Sequence, residues 1–554
     1  MRKLLLSFIL TLSTLFPFIG IAGPSDAVFN IFTYKADGTI LANGYGFFIN
    51  GQGEGVVSFN LLKGAYRAEI IDAKGKKFNV VRILGANSVL DLAKFRTDSH
   101  KTPFLEQSTA TPENGTLLNL ATYKSTGVAA IITNVSDFNQ YKYFDLNAQN
   151  VDKNFGCPLI DNNRRVAAIV QKNFTNGATT ACALDIKAIN TLNITETGSL
   201  NPDLKEIKIQ KALPNDEKAA LAYIYLMSSA DSTAYITTLN DFIETYPDNA
   251  EGFVNRGTFY ATKKLYSLAE KDFKTALSKS SEKSTIKADG IHFTLSKLMY
   301  NVALQTSNNS DWTLPRALEE AELAYQANPS PLYLMQQGHC LYANKQYDKA
   351  YDAYNKVNTT NFASPESFYA AANALSFMKG DSTKILALLD SCVNRLNKPY
   401  SKNDANYLFV RAQYLTRLGK FRQAVADYND YESAIGPASL TAKFYYIREQ
   451  AERSCRMYKQ AIDDIRYAQT LSQKPEYFDY RLEEVSLWLI AGEFQTAIDA
   501  GEALIKELPD NADAYRLLGI AYGELKNKAK AISYLNKAKQ LGDTSVESFM
   551  KKYQ

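Results

Sequence analysis

The second half of the chain repeats a pattern of apolar and small residues at a period of about 34 residues, from residue 216 to residue 554. Within each unit the apolar residues recur at three- and four-residue spacing, which indicates helices. One pair of helices cannot bury its apolar face alone, so neighbouring units must stack. The repeat therefore predicts a long all-α array. Its clearest unit carries Phe253, Gly257, Tyr260, Tyr266, Ala269, Phe273 and Ala276, and its last unit carries Tyr515, Leu518, Gly519, Tyr522, Ala531, Leu535 and Ala538.

Small residues occupy fixed places in the repeat. Glycines such as Gly257, Gly338 and Gly519 are expected where the two helices of one pair cross closely, since only a small side chain fits there. This pattern resembles the tetratricopeptide repeat, and the resemblance implies about eight to nine helical hairpins stacked into a superhelix. A second small residue opens the second helix of the units, at Ala269, Ala317, Ala350, Ala424, Ala461, Ala497 and Ala531.

The resemblance also implies a binding groove on the concave face, lined by the first helix of each repeat. Aromatic, amide and cationic side chains together suit an extended peptide or an acidic segment, so a protein or peptide partner is predicted. The alternative is an ordinary solvated helix face. The Lys/Asn set with which chaperone-binding members hold a C-terminal carboxylate is not reproduced. The predicted groove residues of two consecutive units are Asn406, Phe409, Gln413, Arg417, Lys443, Tyr446, Gln450 and Arg453.

The preceding part of the chain, residues 27–198, has the pattern of an all-β domain. Short runs rich in β-branched and aromatic residues alternate with Gly, Asn and Asp turns, which predicts a sandwich or a barrel. Residues 199–215 contain Pro202 and Pro214 and are predicted to be a linker. The predicted strands are Val28–Tyr34, Gly46–Asn50, Gly55–Phe59, Tyr66–Asp72, Lys77–Leu84, Leu117–Thr122, Val128–Thr133, Tyr141–Leu146 and Val166–Gln171.

Three motifs of this β part, in the right order, resemble a trypsin-like serine peptidase domain of the HtrA type. They are Gly44–Ile49 with Gly55–Ala65, then Val89–Ala93, and then Asn154–Leu159. The resemblance implies a double β-barrel. It also implies that Asn60, Asp91 and Phe155 stand at the positions of the catalytic base, the orienting carboxylate and the nucleophile.

Two of these three positions have lost the chemistry of a peptidase. The amide of Asn60 cannot take a proton from a hydroxyl at neutral pH, and Phe155 has no nucleophilic atom. Asp91 remains, without a histidine to orient, and Lys153 replaces the glycine that usually begins the oxyanion loop. The sequence therefore predicts a non-catalytic pseudo-peptidase that acts as a scaffold. A peptidase with a rearranged site, such as a Ser–Lys pair, and a structural envelope spacer are the alternatives.

Cysteine and histidine are scarce. The three histidines are His100, His292 and His339, and none lies where the resemblance requires one. The five cysteines form no Cys-x-x-Cys pair, so no metal site and no cofactor are predicted. Cys157 and Cys182 are the two cysteines of the β part. They are predicted to form a disulfide that closes a loop of about 25 residues.

The first residues of the chain have the pattern of a signal peptide. Three residues with two basic side chains precede the apolar stretch Leu4–Ala22, and small residues before residue 23 favour cleavage there. The alternative is an uncleaved membrane anchor. No later run is long and apolar enough to span a membrane, so the mature chain is predicted to be periplasmic, secreted or associated with the cell envelope. The net charge of +4 argues against nucleic acid as a partner.

Overall fold

The computed structural model describes residues 23–138, 140–149, 151–172, 181–228, 231–305 and 311–553. Residues 1–22, predicted to be a signal peptide, lie outside these ranges. Among the helices within them, none has the length and apolar character needed to cross a membrane. The chain divides into two compact units, residues 1–285 and residues 286–554.

The first unit begins with two six-stranded antiparallel β-barrels. The strand order is β1-β2-β3-β6-β5-β4 in the first barrel, where β4 returns to pair with β1. It is β10-β11-β12-β9-β8-β7 in the second, where β7 pairs with β10. The strands are β1 (Val28–Tyr34), β2 (Ile40–Phe48), β3 (Glu54–Val57), β4 (Arg67–Ile71), β5 (Lys77–Asn87), β6 (Leu92–Thr97), β7 (Leu117–Thr122), β8 (Ser125–Phe138), β9 (Tyr141–Asn147), β10 (Pro158–Ile160), β11 (Val166–Gln171) and β12 (Ala181–Asp185).

The predicted double β-barrel is thus confirmed, and each barrel encloses its own apolar core. Phe29, Phe48 and Phe95 fill the first barrel, where Phe29 and Phe48 lie 4.7 Å apart between ring centroids. Phe144 and Leu184 belong to the core of the second barrel. Closing each sheet on itself leaves no open edge, and the short helix α1 (Phe59–Leu62) follows β3 directly.

The segment predicted as a linker, residues 199–215, packs on the first barrel. It contains helix α2 (Pro202–Glu206), capped by the side chain of Asn201. Ile207 and Ile209 are buried in the apolar core of the first barrel together with Tyr223, which lies on the first repeat helix. These contacts fix the segment to the barrel and join the barrel to the first helices.

The helical part of the first unit comprises two pairs, α3 (Glu217–Met227) with α4 (Ser232–Thr245) and α5 (Ala250–Thr262) with α6 (Tyr266–Lys279). An ion pair ties them to the first barrel. Nε and Nη2 of Arg82, on β5, donate to the two carboxylate oxygens of Asp241, on α4, at 3.0 and 2.7 Å. Such two-point contacts fix orientation as well as distance.

The second unit is helical throughout its described residues. Consecutive helices pair from α7 with α8 to α19 with α20, and a short helix, α21, follows. Their bounds are α7 (Ala288–Gln305), α8 (Leu314–Ala327), α9 (Pro331–Ala343), α10 (Tyr347–Asn358), α11 (Pro365–Phe377), α12 (Ser382–Val393), α13 (Ala405–Arg417), α14 (Phe421–Ile435), α15 (Ala442–Ser454), α16 (Tyr458–Leu471), α17 (Glu476–Ala491), α18 (Phe494–Glu507), α19 (Ala512–Glu524), α20 (Lys528–Gln540) and α21 (Glu547–Tyr553).

The small residues of the repeat lie at the positions that the sequence predicts. Ala269, Ala350 and Ala531 are fully buried near the start of second helices. At Gly338 a Cβ atom would lie 2.4 Å from Cε1 of Tyr354, and at Gly519 it would lie 2.6 Å from Cγ of Leu535. Both distances are far inside van der Waals contact, so the close approach of the two helices requires glycine there.

A buried ion pair links the two helices in three of the repeats. Arg256, Arg411 and Arg448 each hold an aspartate of the partner helix through Nε and Nη2, at 2.6–2.8 Å. Nη1 of Arg448 also donates to Glu432 on the preceding helix α14, at 2.6 Å. Each arginine therefore fixes the geometry of its own pair. Arg256 and Arg411 likewise contact the preceding helix, through Asn240 at 2.9 Å and Asp390 at 3.3 Å. The aspartates are Asp272, Asp427 and Asp464.

Replacing Arg448 by methionine is expected to destabilise the second unit by about 3–5 kcal/mol, because it leaves the carboxylate of Asp464 buried without its partner. Urea unfolding followed by circular dichroism measures this loss. The double change Arg448→Met with Asp464→Leu is expected to recover part of it, since the carboxylate of Asp464 is then no longer buried without its partner, although Glu432 still loses its contact. Arg422→Ala removes an exposed arginine of α14 as a control, and an equal loss from that change would contradict the interpretation.

Candidate functional site

Asn60, Asp91 and Phe155 line one cleft of the first unit. The cleft has a volume of about 600 Å³. These are the three residues that the peptidase resemblance assigns to the catalytic positions. The lining of the cleft combines polar and apolar residues. Its remaining lining residues are Asn30, Asn43, Gly44, Tyr45, Ser58, Leu61, Lys153 and Lys172.

The ends of three elements bring the polar residues of this cleft together. Ser58 follows β3 and starts helix α1, which carries Asn60. Asp91 lies just before β6 with φ of +47°, a left-handed conformation that aspartate tolerates better than most residues. The backbone N–H of Phe59 donates to the carbonyl of Asp91 at 3.1 Å, and this bond holds the two segments side by side.

The carboxylate of Asp91 is surrounded by hydrogen-bond donors. Oδ1 accepts from the backbone N–H of Asn60 at 3.0 Å and from Nδ2 of Asn60 at 2.9 Å. Oγ of Ser58 lies 2.8 Å from Oδ1 and 2.7 Å from Oδ2. Burial raises the pKa of Asp91 above its ordinary value, and these hydrogen bonds lower it in part. Asn60 thus acts as a donor to Asp91, and the nitrogen of its side-chain amide cannot accept a proton.

Phe155 lies on the loop that enters β10. The next residue, Gly156, has φ of +84°, and a Cβ there would lie 2.4 Å from the carbonyl oxygen of Tyr45. Only glycine fits this position, so the loop keeps a tight turn. Phe155 is half-buried and packs against the apolar core of the second barrel. Its ring therefore forms an apolar part of the cleft lining.

Ser58, Lys153 and Lys172 are further polar members of the cleft, and they bear on the Ser–Lys alternative. The hydroxyl of Ser58 donates to the carboxylate of Asp91. Both lysines are exposed at the cleft. Sequence reasoning did not place Ser58 or Lys172 here. Ser58 was predicted to lie within the strand Gly55–Phe59, whereas the strand ends at Val57 and Ser58 precedes helix α1. Serine is common at such a helix start, but this serine bonds Asp91 and does not cap the helix.

None of the three histidines lines this cleft. His100 is exposed on the segment that follows β6. In the second unit, Nδ1 of His292 lies 2.7 Å from Oε2 of Glu320, and Nδ1 of His339 lies 3.1 Å from Oη of Tyr354. Burial lowers the pKa of His339. Both of these histidines pack among helices of their own unit.

The predicted disulfide between Cys157 and Cys182 is not formed, and both residues are free thiols. The sheet explains why. Cys157 directly precedes β10, Cys182 lies on β12, and β11 runs between those two strands. Strands two places apart are separated by about 9.6 Å, whereas a disulfide needs Cα atoms within about 7 Å. Burial raises the pKa of Cys157 to about 12 and that of Cys182 to about 11.

The predicted groove residues divide into exposed and occupied side chains. Asn406, Arg417 and Lys443 are exposed, whereas Gln413 and Gln450 are half-buried. Nδ2 of Asn406 donates to Oη of Tyr369 at 2.8 Å, and the remaining three also have partners inside the second unit. Phe409 packs on Tyr428 and Tyr431, Tyr446 packs on Tyr480, and Nη1 of Arg453 donates to Glu483 at 2.6 Å.

A buried acidic group lies behind Arg453. Glu449 is fully buried, neither of its carboxylate oxygens has a hydrogen-bond partner among the described residues, and Nε of Arg453 lies 3.6 Å away. Burial, with Glu483 and Asp464 nearby, raises the pKa of Glu449 to about 8. Burial likewise raises the pKa of Glu452 to about 8. Glu449 occupies the same position of its repeat as Gly338 does in another repeat. A large acidic residue thus replaces glycine there, and this departure is visible in the sequence.

Comparisons with known proteins identify the repeats. A tetratricopeptide repeat model matches residues 489–546, so the chain carries such repeats toward its C-terminus, as predicted. The chain is also 26% identical over 320 residues to the human Superkiller complex protein 3. That match covers 56% of this chain and 19% of the relative, so the chain spans about a fifth of the curated relative's length.

Solved structures similar to this chain include two from pathogenic bacteria. One is a serine endoprotease from Yersinia pestis, with 16% identity, a TM-score of 0.27, and coverage of 31% of this chain and 65% of that one. The other is an inactive mutant of Rv3671c from M. tuberculosis, with 17% identity, a TM-score of 0.26, and coverage of 30% and 85%.

The stability of the second unit is expected to fall as the pH rises from about 5 to 8. In this range Glu449, whose pKa is about 8 when folded, keeps a proton that the unfolded chain has released. Glu449→Gln removes the titration. The variant is expected to match the natural protein near pH 5 and to unfold at a higher urea concentration at pH 8. Glu493→Gln, on an exposed side chain, is the control, and an unchanged slope against pH in Glu449→Gln would contradict the expectation.

Proposed function

We propose that this protein is an exported, non-catalytic scaffold. Its repeats bind a protein or peptide partner, and its double barrel serves as a second binding module that has given up peptidase chemistry. The apolar stretch before residue 23 supports export. The repeats support protein binding, since arrays of this kind present extended surfaces to partners.

One observation carries the non-catalytic part of the proposal. Nδ2 of Asn60 donates to Oδ1 of Asp91 at 2.9 Å, in the cleft where a catalytic histidine would donate to the same carboxylate. A neutral amide can imitate that hydrogen bond, but it cannot take up a proton afterwards. Phe155 supplies a ring and no nucleophile in the same cleft. In this proposal the hydrogen bonds around Asp91 are kept, whereas the groups that would cleave a peptide bond are not.

A peptidase with a rearranged site is the competing function, and Ser58 is the observation that favours it. Its hydroxyl lies 2.7 Å from Oδ2 of Asp91, and two lysines line the same cleft. A carboxylate is a poor base for a serine hydroxyl, because its pKa lies far below that of an alcohol even when burial raises it. We therefore assign Ser58 to holding Asp91 rather than to attack on a substrate.

The purified protein is expected to resist labelling by a fluorophosphonate probe and to leave unfolded casein intact. Mass spectrometry of labelled digests and gel analysis of casein measure the two outcomes. Covalent modification of Ser58, abolished by Ser58→Ala, would overturn the non-catalytic proposal. An active trypsin sample treated in parallel verifies the probe.

Charge reversal on the first helices of two repeats is expected to reduce partner binding at least about tenfold, a loss of about 1.4 kcal/mol. The variant is Arg417→Glu with Lys443→Glu, since both side chains are exposed on α13 and α15. Quantitative pull-down from envelope extracts, using the full chain as bait, measures the captured proteins.

The matched control for that experiment reverses two exposed charges on the second helices of the same repeats, Arg422→Glu with Lys459→Glu. It makes the same change in net charge. If both variants kept every partner of the natural protein, the groove assignment would be wrong. A spacer that only positions other envelope components would then be the better function.

A further inference from the structure

We propose that the cleft of the double barrel binds an acidic peptide segment, with the carboxylate of the peptide held between Lys153 and Lys172. This inference rests on the proposed function, because it names the ligand class of the second binding module. The ligand is an extended peptide with a glutamate or aspartate side chain.

The first support is a pair of cations without counter-ions. Lys153 ends the short 3-10 turn Val151–Lys153, and Lys172 directly follows β11. The backbone N–H of Gly156 donates to the carbonyl of Val170 at 2.9 Å, which brings the loop of Lys153 next to the end of β11. Both lysines line the cleft, and neither forms an ion pair within the described part of the chain. A carboxylate between two exposed ammonium groups gains charge-assisted hydrogen bonds.

The second support is that Asp91 is already engaged by other groups. Its oxygens accept hydrogen bonds from the hydroxyl of Ser58 and from the backbone and side-chain N–H groups of Asn60. In an active peptidase the same carboxylate would be paired with a histidine. One carboxylate and two ammonium groups line the cleft, so the cleft carries a net positive charge and attracts an anionic ligand.

The third support is an orphaned acceptor. Oδ1 of Asn30 is buried at this cleft and accepts no hydrogen bond from the described residues. A buried polar atom without a partner is costly, and the backbone N–H of a bound peptide would satisfy it. The apolar part of the lining consists of Tyr45, Leu61 and Phe155. An N–H donor, a carboxylate and an apolar side chain occur together in an acidic peptide.

A free anion or a nucleic acid matches these features less well. A free phosphate needs neither the apolar wall nor an acceptor such as Asn30. A nucleic acid needs a line of many cations along its phosphates, and the cleft has two. The observations therefore favour a peptide, and the other ligands become outcomes of the test.

The test compares two fluorescein-labelled peptides of about ten residues, one alternating Glu and Leu and the other alternating Gln and Leu. Fluorescence anisotropy with the full chain measures their affinities at low and moderate salt. The Glu peptide is expected to bind at least about tenfold more tightly, and Lys153→Glu with Lys172→Glu is expected to remove that preference. Because both lysines are exposed, this variant is expected to keep the circular dichroism spectrum of the folded protein.

The control variant is Lys74→Glu with Lys101→Glu, which makes the same charge change on exposed residues outside the cleft. Asn30→Leu, which replaces the orphaned acceptor, is expected to weaken both peptides equally. Equal affinity for the Glu and Gln peptides, or an equal loss in the control variant, would overturn the inference. Complete competition by millimolar inorganic phosphate, with no effect of Asn30→Leu, would indicate a simple anion site and would also overturn it.

Failure of this inference is distinguishable from failure of the proposed function. If the Glu peptide shows no preference while the groove variant on α13 and α15 loses its partners, the scaffold proposal stands and the acidic ligand is wrong. If Ser58 takes up the fluorophosphonate, the non-catalytic proposal fails whatever the peptides do.

Discussion

The helical repeats depend on how each pair of helices is held at a fixed crossing, and buried arginine–aspartate contacts do this in several of them. Arg448 illustrates the constraint. Its guanidinium binds Asp464 on the next helix at two points and Glu432 on the preceding one. Apolar packing alone allows two helices to slide, whereas a planar two-point contact allows one arrangement. Buried charge of this kind contributes more to a unique geometry than to stability.

A similar logic governs the cleft of the barrels. The buried carboxylate of Asp91 must have donors, and Ser58 and Asn60 supply them. The need to satisfy one charge thus holds β3, α1 and the turn before β6 side by side. Hydrogen-bond donors alone are enough to hold a buried carboxylate in place, whatever chemistry the cleft performs.

Much of the fold was readable from the sequence, because periodicity reports burial. Strands β1, β7 and β11 have the predicted bounds, and the alanines of the second helices are buried as expected. Strand β6 was missed, since Lys94 and Arg96 break its apolar run, and β10 was too short to stand out. The cleft was only partly predictable. The motifs indicated Asn60, Asp91 and Phe155, but Asn30 and Lys172 reach it through the closure of two barrels, which no local pattern encodes.

The attachment of residues 199–215 to the first barrel changes where the chain can be divided. Ile207 and Ile209 complete an apolar core that also takes in Tyr223, and Asp241 of the first helical pair binds Arg82. The barrel is therefore not a self-sufficient module to which repeats are appended. Tyr223 of the first helical pair completes the apolar core of the first barrel. The first hairpin therefore belongs to that core as well as to the repeats. A shortened chain that is meant to keep the barrel folded should therefore end after that hairpin.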